Sequence, residues 1–223
     1  MDFNNDGKKD LISGDTKGQV WFFNNIGTDA APVLAAGVRI ESDGEPILGV
    51  SREYKNNKFV SDPTELMGVY SKLDIADYNA DGLVDILIGH TSPAGHDVVV
   101  YTNTGTKTEP VFGKPEPVTF PKPKMSRPSP FLIDWDEDGT NDLLFGTDRG
   151  AIYFFKNRGT NKKPTYDPGQ KIELVGNKFD IGYRSRFDVC DWNNDGKRDL
   201  LVGNAYRMNN NPTQGNVWLF LAK

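Results

Sequence analysis

Short apolar runs set the rhythm of this chain. "VWFF" at 20–23, "VVVY" at 98–101, "IYFF" at 152–155 and "VWLF" at 217–220 are built from β-branched and aromatic residues. Upstream of each stands an apolar pair or triplet closed by Gly: "LISG", "ILIG", "LLFG" and "LLVG". Continuous apolar runs of this length, with turn formers between them, predict strands buried on both faces. No segment sustains the 3.6-residue spacing of an amphipathic helix, so the chain reads as all-β. Its 23 Gly and 14 Pro are spread along 223 residues, as many tight turns require.

The apolar pairs follow four nine-residue windows that align without gaps: "DFNNDGKKD" from Asp2, "DYNADGLVD" from Asp77, "DWDEDGTND" from Asp134 and "DWNNDGKRD" from Asp191. Asp holds positions 1, 5 and 9, Asn or Asp holds 3, Gly holds 6, and position 2 is aromatic. Each full module predicts four strands. The first enters the acidic loop ("SKLDIA", "PFLI", "RFDVC"), the second leaves it, and the third is the aromatic run. The fourth follows a turn such as "NTGTKTEPVF" or "NRGTNKKPTY". A four-stranded meander repeating every 57 residues is the unit of a β-propeller blade.

The expected fold is therefore an all-β propeller of four-stranded antiparallel blades. It forms a single array over 1–223, with modules at approximately 1–68, 69–125, 126–182 and 183–223 and an insertion at about 35–66 in the first. The first module lacks the strand leading into its loop, and the last stops after its third strand. About three and a half to four blades are thus expected, a partial propeller or a fragment. Its open edges would be covered by the rest of a longer chain or by a second copy. On the same reasoning the Asp2 loop is expected to be the least well supported.

A plain Asx-Gly turn needs no carboxylate at positions 5 and 9, but a hard cation does. Calcium takes about six to eight oxygens, and side chains 1, 3 and 5 of a curled loop can point inward together. A carbonyl near position 7 and the ninth carboxylate would complete the shell, with Gly at 6 allowing the reversal. An EF-hand would carry Glu at position 12; here Ser13, Ile88, Phe145 and Val202 stand there. The expected cofactor is Ca2+. The expected ligands are Asp2, Asn4, Asp6 and Asp10; Asp77, Asn79, Asp81 and Asp85; Asp134, Asp136, Asp138 and Asp142; and Asp191, Asn193, Asp195 and Asp199.

The pattern "DxNxDGxxDLxxG", followed by an aromatic strand and "NxGTxxxP", resembles the FG-GAP/VCBS repeat family, related to the integrin α-subunit propeller. It covers nearly the whole chain outside the insertion. The resemblance implies calcium-loop propeller repeats, typically about seven blades to a ring, usually at an extracellular or cell-surface location. Such repeats occur in adhesins, in secreted proteins and in some polysaccharide lyases, so the resemblance implies no activity by itself.

The net charge of −5 conceals a separation. The four loops hold 14 of the 31 acids and 4 of the 26 basic residues, leaving 17 and 22 elsewhere. The basic remainder is too dilute for a nucleic-acid interface, and no apolar run is long enough to insert in a membrane. One cysteine, Cys190, excludes an internal disulfide. The N-terminus has no signal-peptide pattern, so the chain is expected to be either cytosolic or exported by a signal that has been lost or lies upstream.

In a meander the acidic loops and the "GT…P" turns share one face, and the remaining turns share the other. That other rim is expected to carry Lys72, Arg127, Tyr183, Arg184, Arg186 and Arg207 as ligand-binding residues, because Arg clasps carboxylate or sulfate and Tyr stacks on sugars. The expected function is a calcium-stabilised extracellular segment binding carbohydrate or protein, as in cell adhesion. One alternative is a lyase acting on uronic-acid glycan, with His90, His96, Tyr206 and Arg184 as candidate catalytic groups. A second is a structural repeat beside an unseen catalytic domain. Nothing in the sequence sets His90 within proton-transfer reach of a Tyr or Arg, so the residues lean away from an enzyme.

Overall fold

The computed structural model describes residues 1–49, 53–55, 58–60, 68–92, 95–121, 127–173, 183–206 and 214–222. Among these there is no helix, and hence none long and apolar enough to cross a membrane. The chain divides into two compact units, Met1–Val118 and Thr119–Lys223, and each contains two of the repeats.

In the first unit β1 (Leu11–Gly14), β2 (Val20–Phe23) and β3 (Val38–Arg39) form a three-stranded antiparallel meander. The insertion supplies two hairpins, β4 (Glu41–Ser42) with β5 (Glu45–Pro46) and β6 (Glu53–Lys55) with β7 (Lys58–Val60). A four-stranded blade follows: β8 (Val69–Ala76), β9 (Asp85–Thr91), β10 (Val98–Tyr101) and β11 (Glu116–Pro117), neighbours in space as in sequence. In the second unit β12 (Ser129–Ile133), β13 (Asp142–Gly146), β14 (Ile152–Phe155) and β15 (Gln170–Lys171) repeat that blade. The last sheet has three strands, β16 (Tyr183–Cys190), β17 (Asp199–Tyr206) and β18 (Gln214–Phe220). The sheets are propeller-like blades, four-stranded in the middle of the sequence and three-stranded in the first and last repeats.

The runs that read as doubly buried are so in the middle repeats, but not in the outer ones: β1 and β2 are mostly half-buried, and in β18, the outer strand of its sheet, Val217 is 70% exposed and Leu219 39%. Strand β9 is buried from Asp85 to His90, and β10 and β13 are buried throughout. The core of each unit lies between its two blades. In the first, Ile86, Ile88, Val99 and Tyr101 of one blade pack with Phe3 and Val20 of the other. In the second, Ile152 packs with Leu200 and Val202, and Trp135, Phe187 and Val189 close around them. Burial on this scale, at about 25 cal/mol per Å2 of apolar surface, is the main force holding blade to blade.

A backbone latch adds direction to this packing. The turn after β1 accepts two amides from the first strand of the next blade, Tyr70 to the Thr16 carbonyl at 3.3 Å and Ser71 to that of Asp15 at 3.1 Å. The second unit repeats it, with Arg184 donating to the Asp148 carbonyl and Ser185 to that of Thr147, both at 3.1 Å. A bulge frees these amides: Tyr70 and Arg184 have φ of 68° and 61°, and the ladder shifts register beside each. The Ser185 hydroxyl, fully buried, also accepts the Thr147 amide at 3.0 Å.

This approach explains the Gly that closes the second strand in the first and third repeats. A side chain at Gly14 or Gly146 would collide with the carbonyl oxygen of Ser71 or Ser185. At Gly203, the same repeat position in the last sheet, a Cβ would meet only Arg186 O at 3.7 Å. Gly146→Ala is therefore expected to cost about 2–4 kcal/mol in urea unfolding, and Gly203→Ala less than about 1 kcal/mol. Equal losses would remove the latch as the reason for the glycine.

Candidate metal centres

Each acidic loop winds through two left-handed residues. Position 4 has φ of 57°, 56°, 61° and 57° at Asn5, Ala80, Glu137 and Asn194, and the Gly at position 6 lies between 83° and 90°. The resulting coil brings positions 1, 3 and 5 to one side. The position-1 carboxylate accepts the amides of positions 5 and 6; for Asp77 these are Asp81 at 3.0 Å and Gly82 at 2.9 Å. Asp2, Asp134 and Asp191 repeat both bonds at 2.9–3.0 Å. The position-5 carboxylate accepts the amide two residues on, as Asp81 does from Leu83 at 2.8 Å. Asn4, Asn79 and Asn193 accept the position-5 amide through their side-chain oxygens. In the third loop oxygens of Asp134, Asp136 and Asp138 all lie within 4.8 Å of one another.

The ninth acid is set apart. Asp85, Asp142 and Asp199 are fully buried, and Asp10 is half-buried. One carboxylate oxygen accepts the amide of the position-2 aromatic residue: Phe3, Tyr78, Trp135 or Trp192, at 2.9–3.0 Å. The other accepts an amide at the end of the third strand: Asn25, Asn103, Asn157 or Ala222, at 2.7–2.9 Å. Position 9 is thus a clasp between loop and sheet, explained without a cation. Burial raises the carboxyls of Asp85 and Asp142 above the usual range, and the two amides oppose that rise.

The clasp extends into the neighbouring turn. Asn25, Asn103 and Asn157 are buried, and each side-chain oxygen accepts two amides of the "GT…P" turn, such as Gly105 at 2.9 Å and Val111 at 3.1 Å. In the third module Asn161 of that turn accepts the Asn141 amide and donates to the Gly139 carbonyl. The acidic loop and the turn therefore meet on one face.

Lys156 is a residue that the repeat pattern did not single out. Its ammonium contacts Asp136 and lies 2.8 Å from Asp138 Oδ2. The Asp136 hydrogen bond and that of Asp138 push the lysine up to about 12, and the Lys156 contact holds Asp138 well below the ordinary carboxylate value. Asp195, without such a lysine, is lowered by the Lys197 amide and the Asn193 side chain.

On the other rim, Arg127 Nη1 lies 3.2 Å from Asp148 Oδ2, and Arg186 Nη2 lies 3.6 Å from Oδ1. Arg184, exposed, gives its backbone amide to the same residue. Burial, with Arg184 and Arg127 nearby, lowers Arg186 below the ordinary arginine value, and Asp148 resists that. In the first unit Lys72 is half-buried and His96 exposed. His90 is not a rim residue: it is fully buried, and Nδ1 accepts the Gly68 amide at 2.8 Å. An imidazole so placed is poorly suited to proton transfer with a ligand. Arg207 lies outside the described residues, as do the side chains of Tyr183 and Tyr206.

A family model described as an FG-GAP-like repeat matches residues 77–145 and again residues 134–202, together more than half of the chain. Each match starts at the first Asp of one loop and ends in the strand after the next. No curated protein matches the chain.

Two outcomes follow. Asp142→Asn, measured in chelator, is expected to cost about 2–4 kcal/mol, because it turns one acceptor of a buried pair into a donor facing an amide. Asp138→Asn at the exposed fifth position should cost less than half as much, and comparable losses would dissolve the distinction. The second outcome concerns His90, whose ordinary value of 6.5 falls to about 4 through burial, with Lys72 and His96 adding to it. The unfolded chain then takes up the proton first. The stabilising contribution is whole above pH 6.5 and is lost as pH falls towards 4, about 3 kcal/mol in all. His90→Gln should flatten stability over that window by nearly one proton; an unchanged slope would place the titration elsewhere.

Proposed function

The chain belongs to the FG-GAP-like repeat family, and from that premise we propose that it is a calcium-stabilised, extracellular β-propeller segment that binds carbohydrate or protein partners. The observation that carries the reading is the convergence of oxygen side chains at positions 1, 3 and 5 in four equivalent loops. These donors suit calcium: they are hard oxygens and mostly carboxylates, in a loop whose shape is already held by backbone bonds. Asp2, Asn4 and Asp6 would hold an ion in the first loop, with their counterparts in the other three. Each position-9 oxygen keeps a second lone pair, so Asp10, Asp85, Asp142 and Asp199 are compatible with the shell while serving as clasps. A bound ion would neutralise the loop carboxylates and lock the hairpin. Magnesium fits less well, since it prefers to keep several waters in a small octahedron.

Repeats of this family are typically extracellular, where calcium is abundant enough to fill even weak loops. The binding part of the reading rests on Asp148, which gathers Arg127, Arg184 and Arg186, leaving a surplus of guanidinium groups. That surplus favours an anionic partner such as a carboxylated or sulfated glycan. With His90 buried, this rim supports recognition better than lyase chemistry.

Thermal unfolding with calcium, magnesium or chelator tests the calcium reading. At calcium about 100-fold above the dissociation constant, each filled site should add about 3 kcal/mol, raising Tm by several degrees. Magnesium should do much less. A Tm indifferent to calcium would sink the proposal.

A further inference from the structure

We infer that Lys156 is a built-in cation for the third loop, so that the loop richest in carboxylates is the one that binds calcium least. The inference rests on the calcium reading proposed above. It starts from a comparison of equivalent positions. The residue before the amide that clasps the ninth acid is Asn24, Thr102, Lys156 or Leu221. Lys156 alone is charged. Position 3 of the loop differs in the same repeat: Asn4, Asn79 and Asn193 are neutral, but Asp136 is an acid. The extra carboxylate and the extra ammonium occur together.

They also face each other. In the first loop this position meets position 3 directly, where Asn4 Nδ2 donates to Asn24 Oδ1 at 3.2 Å. In the third loop the same geometry brings Lys156 Nζ onto Asp136 and to 2.8 Å from Asp138 Oδ2. The remaining Asp138 oxygen accepts both the amide and the hydroxyl of Thr140, at 2.9 and 2.5 Å. One oxygen of Asp136 and both oxygens of Asp138 are thus engaged, two of them by a positive charge that repels a divalent ion. Oxygens of the three carboxylates lie within 4.8 Å of one another, and the tethered ammonium is already on two of the three, Asp136 and Asp138. Unlike a free ion, it has no dilution entropy to lose, so the loop is charge-compensated at any calcium concentration.

The test compares the wild-type chain with Lys156→Met, Lys156→Arg and the double variant Asp136→Asn/Lys156→Met, by calorimetric calcium titration and by unfolding in calcium and in chelator. Lys156→Met should bind one more calcium than wild type, as the third loop tightens at least ~10-fold once the ammonium is gone. It should be less stable than wild type in chelator and recover in calcium. Lys156→Arg should bind the wild-type number. The double variant has the donor set of the Asp77 loop and should also gain a site, which covers the case in which three uncompensated carboxylates prevent folding. Equal stoichiometry and affinity in all four proteins would overturn the role of Lys156 and leave the calcium reading standing. Absence of calcium binding in every one of them would overturn both.

Discussion

The buried ninth carboxylate is the interaction on which the other features rest. It ties two pieces of chain that sequence separates by 7 residues on one side and up to 23 on the other. Burying a carboxylate is costly unless its oxygens are hydrogen-bonded, and here each oxygen takes an amide that would otherwise end the strand unpaired. Asp is the residue that fits. Asn offers one acceptor where two are needed, and Glu would carry the group too far from the backbone. The clasped amide belongs in three repeats to an Asn whose own side chain shapes the next turn. One carboxylate therefore sets the relation of loop, sheet and turn. The loop has its shape without an ion, a preorganisation that would lower the cost of binding one.

The latch between blades depends on this rigidity. A turn can accept amides from the next blade only if strand 2 arrives in a fixed register, and the clasp fixes it at the far end. The second requirement is a bulge at the start of the next blade, where Tyr70 and Arg184 have φ of 68° and 61°. Neither is a glycine, so each carries backbone strain of about 1–2 kcal/mol that the latch within its unit must offset. The same bulge turns Arg184 out to solvent and brings Arg186 beside Asp148. A device for packing blades thus also arranges the basic rim.

Much of this was legible in the residues. Apolar runs named the strands, since strands buried on both faces have no polar alternation to misread. The fixed acids named the loops, because residue type there follows from oxygen chemistry. What stayed hidden depends on depth and on contacts across the sheet. Ala80 and Glu137 do not advertise left-handed backbone as Gly does. His90 looked like a loop residue because polar neighbours follow it, yet it falls on the last buried position of β9. Asp at position 9 reads as a ligand because a ligand and a double amide acceptor call for the same residue. Lys156 follows the third strand of its repeat, and its partner Asp136 is 20 positions away; no local pattern joins them.

Charge then separates the four loops into two kinds. At positions 1, 3 and 5 the first, second and fourth carry two carboxylates and an Asn, and the third carries three carboxylates. At those three positions, counted with Lys156, the third has the same net charge as the others, because the chain supplies the balancing cation. In the other loops the residue that follows the third strand is Asn24, Thr102 or Leu221 and brings no charge. The acids at positions 3 and 5 of the third loop are thus balanced by the chain itself. The acids concentrated in the loops are therefore not equivalent: some hold the fold, some are balanced from within, and on the calcium reading proposed above only the rest call for a cation from outside.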